Sequence, residues 1–159
     1  MVAGGICSRG KTELIIIHQV VKINGQYYRE NILPVYFEFM QNKEFFPNQR
    51  IVTFLQDGAL PHSAEQSLNL IKKDMPNINI WCKGIYPGNS CDFNVIEHIW
   101  NTLQESVFLE PGPTNRNELI TRIKSTWDSL DVQYLCKLTE SFPSRISEAS
   151  AADGGHTSY

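Results

Sequence analysis

The run from Arg50 to Gln56 places Ile51, Thr53 and Leu55 on one alternating face and Val52 and Phe54 on the other, then stops at Asp57-Gly58. Strands that are apolar on both faces belong in the middle of a sheet covered on both sides, so this segment predicts an α/β arrangement. In open α/β sheets ligands bind beyond the carboxyl ends of the strands, and Asp57 occupies such an end. Gly58 permits a sharp exit. Asp-Gly is equally a common turn pair, so a purely local role for Asp57 stands beside the ligand-binding one.

A second acid sits in a different context. From Asn94 to Val107, the residues Ile96, Ile99, Trp100, Leu103 and Val107 recur at helical spacing, the clearest helix in the chain. With Asn94 as its N-cap, Glu97 falls at the third helical position, where a glutamate can reach back to the cap's N–H. On a helical wheel it lies roughly 100° from Ile96, on the flank of the apolar stripe. A capping role and a role at the end of a sheet are both compatible with that flank. Asp92 precedes the helix in a loop, His62 follows Asp57, and His98 adjoins Glu97. Neither histidine is required for a hard cation, which prefers oxygen ligands.

The rest of the chain fits the same class. Met1–Cys7 and Thr12–Gln19 are short apolar runs joined by Ser8-Arg9-Gly10-Lys11, which predicts a β-hairpin. Residues 26–42 follow a helical pattern with Pro34 inside it, expected to kink the helix rather than abolish it. Ser63–Lys73 predicts a helix stopped by Pro76, Asn77–Cys82 a short strand, and 85–92 a loop. After Pro111-Gly-Pro113, Asn115 with Glu118 resembles a capping box opening a final helix through Leu119, Ile120, Ile123, Trp127 and Leu130. Strands first and an αβα run afterwards predict a mixed sheet with helices packed on it.

At 159 residues, with 42% hydrophobic and 19% charged, the chain reads as one ordinary globular domain. Its net charge of −3 argues against a self-sufficient nucleic-acid binder. Two divalent ions in an acidic site would offset that locally. The four cysteines, Cys7, Cys82, Cys91 and Cys136, lack zinc spacing and read as reduced intracellular thiols. No stretch approaches the roughly 20 apolar residues of a membrane span, and the start lacks the features of a signal peptide. No internal repeat is evident. Residues 144–159 are small and polar and are expected to form a fraying tail beyond a domain at 1–143.

Two segments carry a resemblance. Phe54-Leu-Gln-Asp57-Gly-Ala-Leu-Pro-His62-Ser-Ala64 is similar to the second acidic motif of the Tc/mariner superfamily of DDE transposases. Ser90-Cys-Asp92-Phe-Asn94-Val-Ile-Glu97-His-Ile-Trp100 resembles the third, usually S-P-D-L-N-P-I-E-x-x-W. The Gly4-to-Thr12 hairpin, Phe142-Pro-Ser-Arg145-Ile and the terminal Gly154-to-Tyr159 run resemble further landmarks, so the likeness extends along the whole chain. Cys91 and Val95 stand where prolines are usual, and the interval between the acids is a few residues longer than usual.

The resemblance implies a ribonuclease-H-like mixed sheet with flanking helices, and metal-dependent DNA cleavage and strand transfer. It assigns Asp57 and Glu97 as the second and third catalytic, metal-binding acids. Asp92, His62 and Asn94 are possible accessories. The implied cofactor is Mg²⁺ or Mn²⁺, two ions in the intact family, one activating the attacking oxygen and one stabilising the leaving oxygen. The implied partner is DNA, both transposon ends and target, with a homodimer in intact relatives, no membrane, and a nuclear location. The family's first aspartate lies on a central strand upstream of the hairpin, and no Asp precedes Asp57 here. The expectation is therefore the C-terminal part of a catalytic domain, lacking the first central strand and the upstream helix-turn-helix region. A catalytically inactive relic, or a domain retained for nucleic-acid or protein binding, is the alternative.

Overall fold

The computed structural model describes residues 1–48, 52–85 and 93–152. The chain divides into two compact units, whose described residues are 1–5 with 11–48 and 52–85, and 6–10 with 93–152. The expected N-terminal hairpin is present but interrupted. Strand β1 (Val2–Ala3) pairs antiparallel with β4 (Ile15–Ile16), with Val2 opposite Ile16 and Ala3 opposite Ile15. Nearer the turn, β2 (Ile6–Cys7) pairs with β3 (Gly10–Lys11) across Ser8-Arg9. Between the two ladders, Gly5 N–H donates to Thr12 Oγ1 at 2.9 Å, and Thr12 N–H donates to the Gly5 carbonyl at 2.8 Å. Glycine is needed there for close approach. A Cβ on Gly5 would meet Thr12 Cγ2 at 3.3 Å and the Tyr36 ring at 3.6 Å.

Pro34 does more than bend its helix. After α1 (Gly25–Tyr27), capped by the Asn24 side chain accepting from Tyr27 N–H, the chain makes a π-helical segment, Tyr28–Ile32, and then α2 (Leu33–Gln41). Proline has no N–H, and its ring collides with the carbonyl four residues back. The wider turn avoids that collision: Leu33 N–H reaches back five residues to the Tyr28 carbonyl. This segment carries Tyr28 and Ile32 into a core with Ile17, Leu33, Met40, Val52, Ile71 and Met75. Burying side chains of this size stabilises the fold by about 1.5–3 kcal/mol each.

Strand β5 (Thr53–Leu55) pairs parallel with β6 (Asn79–Trp81), placing Thr53 opposite Asn79 and Leu55 opposite Trp81. The crossover carries α3 (Leu60–Ser63) and α4 (Glu65–Asp74), and Pro76 follows at once. Parallel pairing requires such a crossover, which explains the αβ alternation in this stretch. The expectation of a strand deep in a sheet needs correction. Among the described residues β5 has β6 as its strand neighbour and no other, and Thr53 is exposed while Val52 and Gln56 are buried. The segment alternates, because one of its faces packs on the helices.

The second unit is helical. It contains α5 (Ile96–Val107), α6 (Arg116–Asp128), α7 (Val132–Glu140) and α8 (Phe142–Ala151). Ile99, Leu103 and Val107 of α5 are buried, and Trp100 stacks on the buried Trp127 of α6 with ring centroids 5.7 Å apart. The Arg122 guanidinium donates to the Val107 and Leu109 carbonyls, satisfying groups left open at the end of α5. Asn115 caps α6 by accepting from Glu118 N–H at 2.9 Å, as predicted, but the Glu118 carboxylate reaches Thr114 rather than the cap residue.

Two expectations fail here. Helix α6 is not the last: Asp131 caps a further helix by accepting from Gln133 N–H, and Pro143 opens another. The supposed tail from residue 144 begins inside α8, where Arg145 and Ala149 are buried. The predicted loop at 85–92 falls almost wholly outside the described residues.

Candidate catalytic and metal-binding site

Asp57 lies just past β5, where Gln56 N–H continues the ladder by donating to the Trp81 carbonyl at 2.9 Å. Its Oδ1 accepts from Ala59 N–H at 3.0 Å and contacts His62 Nδ1 at 2.5 Å. The turn-forming role open in the sequence is thus realised, but at one oxygen. Oδ2 has no hydrogen-bond partner among the described residues, and the side chain is 57% exposed. The hydrogen bond from His62 holds the Asp57 carboxyl below the usual carboxylate range. Partial burial opposes this, and the Ala59 N–H adds to it. Gly58 is not demanded by the backbone, since a Cβ would only touch Lys83 Cβ at 4.0 Å.

Helix α3 returns His62 to Asp57, because Ala59, its N-cap, accepts through its carbonyl from His62 N–H and Ser63 N–H. The His62 ring lies 4.6 Å from the ring of the fully buried Tyr28. Tyr28 in turn donates its hydroxyl to Gln56 Oε1 at 2.5 Å, and Gln56 is the residue before Asp57. The contacts close a circuit through Asp57, His62, Tyr28 and Gln56. Burial pushes the Tyr28 hydroxyl far above its ordinary value, so it remains a donor. Gln56 Nε2 is buried without a partner, an orphaned donor beside the acid. Neither Tyr28 nor Gln56 stood out in the sequence, although a polar residue ending an apolar run was the available signal for Gln56.

Glu97 occupies the first turn of α5. The predicted cap is displaced by one residue: Val95 is the N-cap and makes no side-chain cap bond. The Asn94 carbonyl accepts from Glu97 N–H at 3.0 Å, and Asn94 Nδ2 lies 3.5 Å from Glu97 Oε1. Asn94 therefore orients the glutamate rather than capping the helix. His98 accepts at Nε2 from Arg145 at 2.9 Å; burial and then that guanidinium lower its pKa. Asp92 lies outside the described residues.

Asp57 with His62 belongs to the first unit, and Glu97 with Asn94 to the second. Both acids offer carboxylate oxygens, the donor type that suits a hard cation. No group of three or more His, Cys, Asp and Glu side chains placed to hold a metal occurs among the described residues. Cys7, Cys82 and Cys136 are free thiols. No described helix is long and apolar enough to cross a membrane.

No protein-family model matches the chain. A transposase of the transposable element Tcb1 from Caenorhabditis briggsae is 27% identical over 106 residues, which are 67% of this chain and 37% of the relative. The structure of the Mos1 transposase catalytic domain with raltegravir and Mn superposes with a TM-score of 0.78 at 13% identity, covering 98% of this chain and 82% of that one. The Mos1 strand transfer complex gives a TM-score of 0.74 at 14% identity, covering 94% of this chain and 41% of that one. The chain resembles a Tc/mariner transposase catalytic domain in both sequence and fold. The fold is the ribonuclease-H-like α/β one of the Mos1 catalytic domain. The chain spans under two fifths of the length of the curated relative.

Proposed function

We propose that this chain is the C-terminal part of a DDE-type catalytic domain for DNA cleavage and strand transfer, with Asp57 and Glu97 as its second and third metal-binding acids. The observation that carries the reading is the state of Asp57. It sits at the carboxyl end of a parallel strand, one oxygen is fixed by Ala59 and His62, and the other is left open to solvent. Asn94 Nδ2 makes a longer local contact, 3.5 Å, to Glu97 Oε1. The Mos1 structures with Mn and in a strand transfer complex support a divalent cation and DNA as what such a site takes. When bound, the ions would polarise phosphoryl oxygens and activate the attacking hydroxyl. The chain's own residues orient the carboxylates and bring no further acid on a strand before Asp57.

The edge of β5 opposite β6 is where the family's central strand would pair. DNA binding rests on phosphate contacts and is weak and salt-sensitive at a net charge of −3. The test is a calorimetric Mn²⁺ titration of the chain, Asp57→Asn and Glu97→Gln. Loss of binding in both variants is expected, and binding unchanged in both overturns the assignment.

A further inference from the structure

Arg145 is 2% exposed on the first turn of α8, a burial that a guanidinium tolerates only when it is hydrogen-bonded. Its Nε donates to Ser141 Oγ at 2.9 Å, and one terminal nitrogen donates to His98 Nε2 at 2.9 Å. Ser141 is itself fixed, because its hydroxyl donates to the Leu138 carbonyl at 2.7 Å. The planar fork therefore joins the α7–α8 junction to α5 at the residue next to Glu97. A second polar pin lies one turn further along α5. Thr102 Oγ1 bonds the His98 carbonyl at 2.9 Å and meets the Tyr134 hydroxyl of α7 at 3.0 Å. Two pins four residues apart share one helical face, and Trp100 stacks on Trp127 besides. Together they fix both the rotation of α5 about its axis and its slide along it. An apolar residue at 145 could fill the same space, but without directional bonds it would leave the azimuth of the first turn free.

We propose that Arg145 is a positioning residue for Glu97, setting the direction of that carboxylate through His98 and Ser141. This rests on the reading of Glu97 as a metal-binding acid. Partners one step removed from a metal ligand change metal affinity by about 10–100-fold when lost, and the lower end of that range is expected here.

The experiment is a Mn²⁺ titration of the full chain and five variants, each checked by circular dichroism and melting. Glu97→Gln should abolish the Glu97-dependent binding. Arg145→Lys keeps the charge but not the fork, and His98→Ala removes its acceptor; each should weaken binding about tenfold. His98→Gln offers an amide oxygen to the same N–H and should recover most of what His98→Ala loses. Ala149→Gly loosens α8 one turn past the fork while leaving its donors and acceptors in place, and should lower the melting temperature with affinity unchanged. Wild-type affinity in Arg145→Lys and His98→Ala, with loss in Glu97→Gln, overturns the positioning role and leaves the metal reading intact. Equal weakening in Ala149→Gly, or no recovery in His98→Gln, reduces Arg145 to general stability and also overturns it. Wild-type behaviour of Glu97→Gln overturns both readings.

Discussion

Asp57 and Glu97 are held in opposite ways. Asp57 is fixed by close neighbours in sequence: Ala59 two residues on, His62 five residues on, and Gln56 immediately before it. Its longer ties run through Tyr28, which bonds Gln56 across 28 residues and meets the His62 ring. Glu97 meets Asn94 locally, while its helix is secured from Trp127, Tyr134 and Arg145, the last 47 residues beyond His98. A strand-tip acid can be set by a tight turn. An acid on a helix inherits its aim from whatever packs against that helix, and short spacing cannot encode it.

The sharpest break in this comparison comes from Trp127→Ala. It removes a fully buried indole from the α5–α6 contact and should cost about 3–5 kcal/mol in a urea titration. Hydrogen exchange should then accelerate in α5. Unchanged protection of α5 would mean that the helix stands without its distant supports.

Next in size is Tyr28→Phe, which leaves both polar groups of buried Gln56 unpaired and should cost about 1–3 kcal/mol. A loss below a few tenths would show that the circuit around Asp57 is not under load.

The paired deletions His98→Ala and His62→Ala test the contrast directly. The first removes an acceptor from a buried guanidinium and should cost about 1–3 kcal/mol. The second breaks a contact to a largely exposed carboxylate and should cost no more than about 1 kcal/mol. Reversal of that order in denaturant midpoints would sink the contrast.

The smallest effect is in pH. The folded-state pKa of Asp57 is depressed, so its stabilisation is present above the unfolded value near about 3.9 and is lost as pH falls through the folded one. The gap in denaturant midpoint between wild type and Asp57→Asn should close as pH drops below about 4. A gap independent of pH would mean that the His62 bond does not favour the charged carboxylate.

Much of the fold was legible because its signals are local. The hairpin, the 53–55 and 79–81 strands, the Asn115 cap and the α5 stripe all follow from patterns within one or two turns. The local turn at Asp57 was legible too, since Asp-Gly is a common turn pair and Asp57 accepts from Ala59 two residues on. Arg145 was not, since a buried arginine looks like any other arginine until its partner is known, and that partner lies in another helix. Helix α7 did carry a signal, Asp131 ahead of Leu135 and Leu138, but it sat behind a helix that already looked final. The shift of the cap from Asn94 to Val95 is a one-residue change that neither propensity nor pattern resolves.

The π-helical segment before Pro34 bears on the evolution of this chain. Such a turn behaves as a single extra residue accommodated inside a regular screw. Everything on its amino-terminal side is advanced by one position, or roughly 100° of azimuth, relative to an uninterrupted helix. Tyr28 meets Gln56 only in that advanced phase. A single-codon deletion between 28 and 33 would restore a regular helix and aim a different side chain at the acid. Point substitution could not easily reverse the result, so within this lineage indels here should be rarer than at Gly112, where an added Cβ would meet nothing within 4 Å.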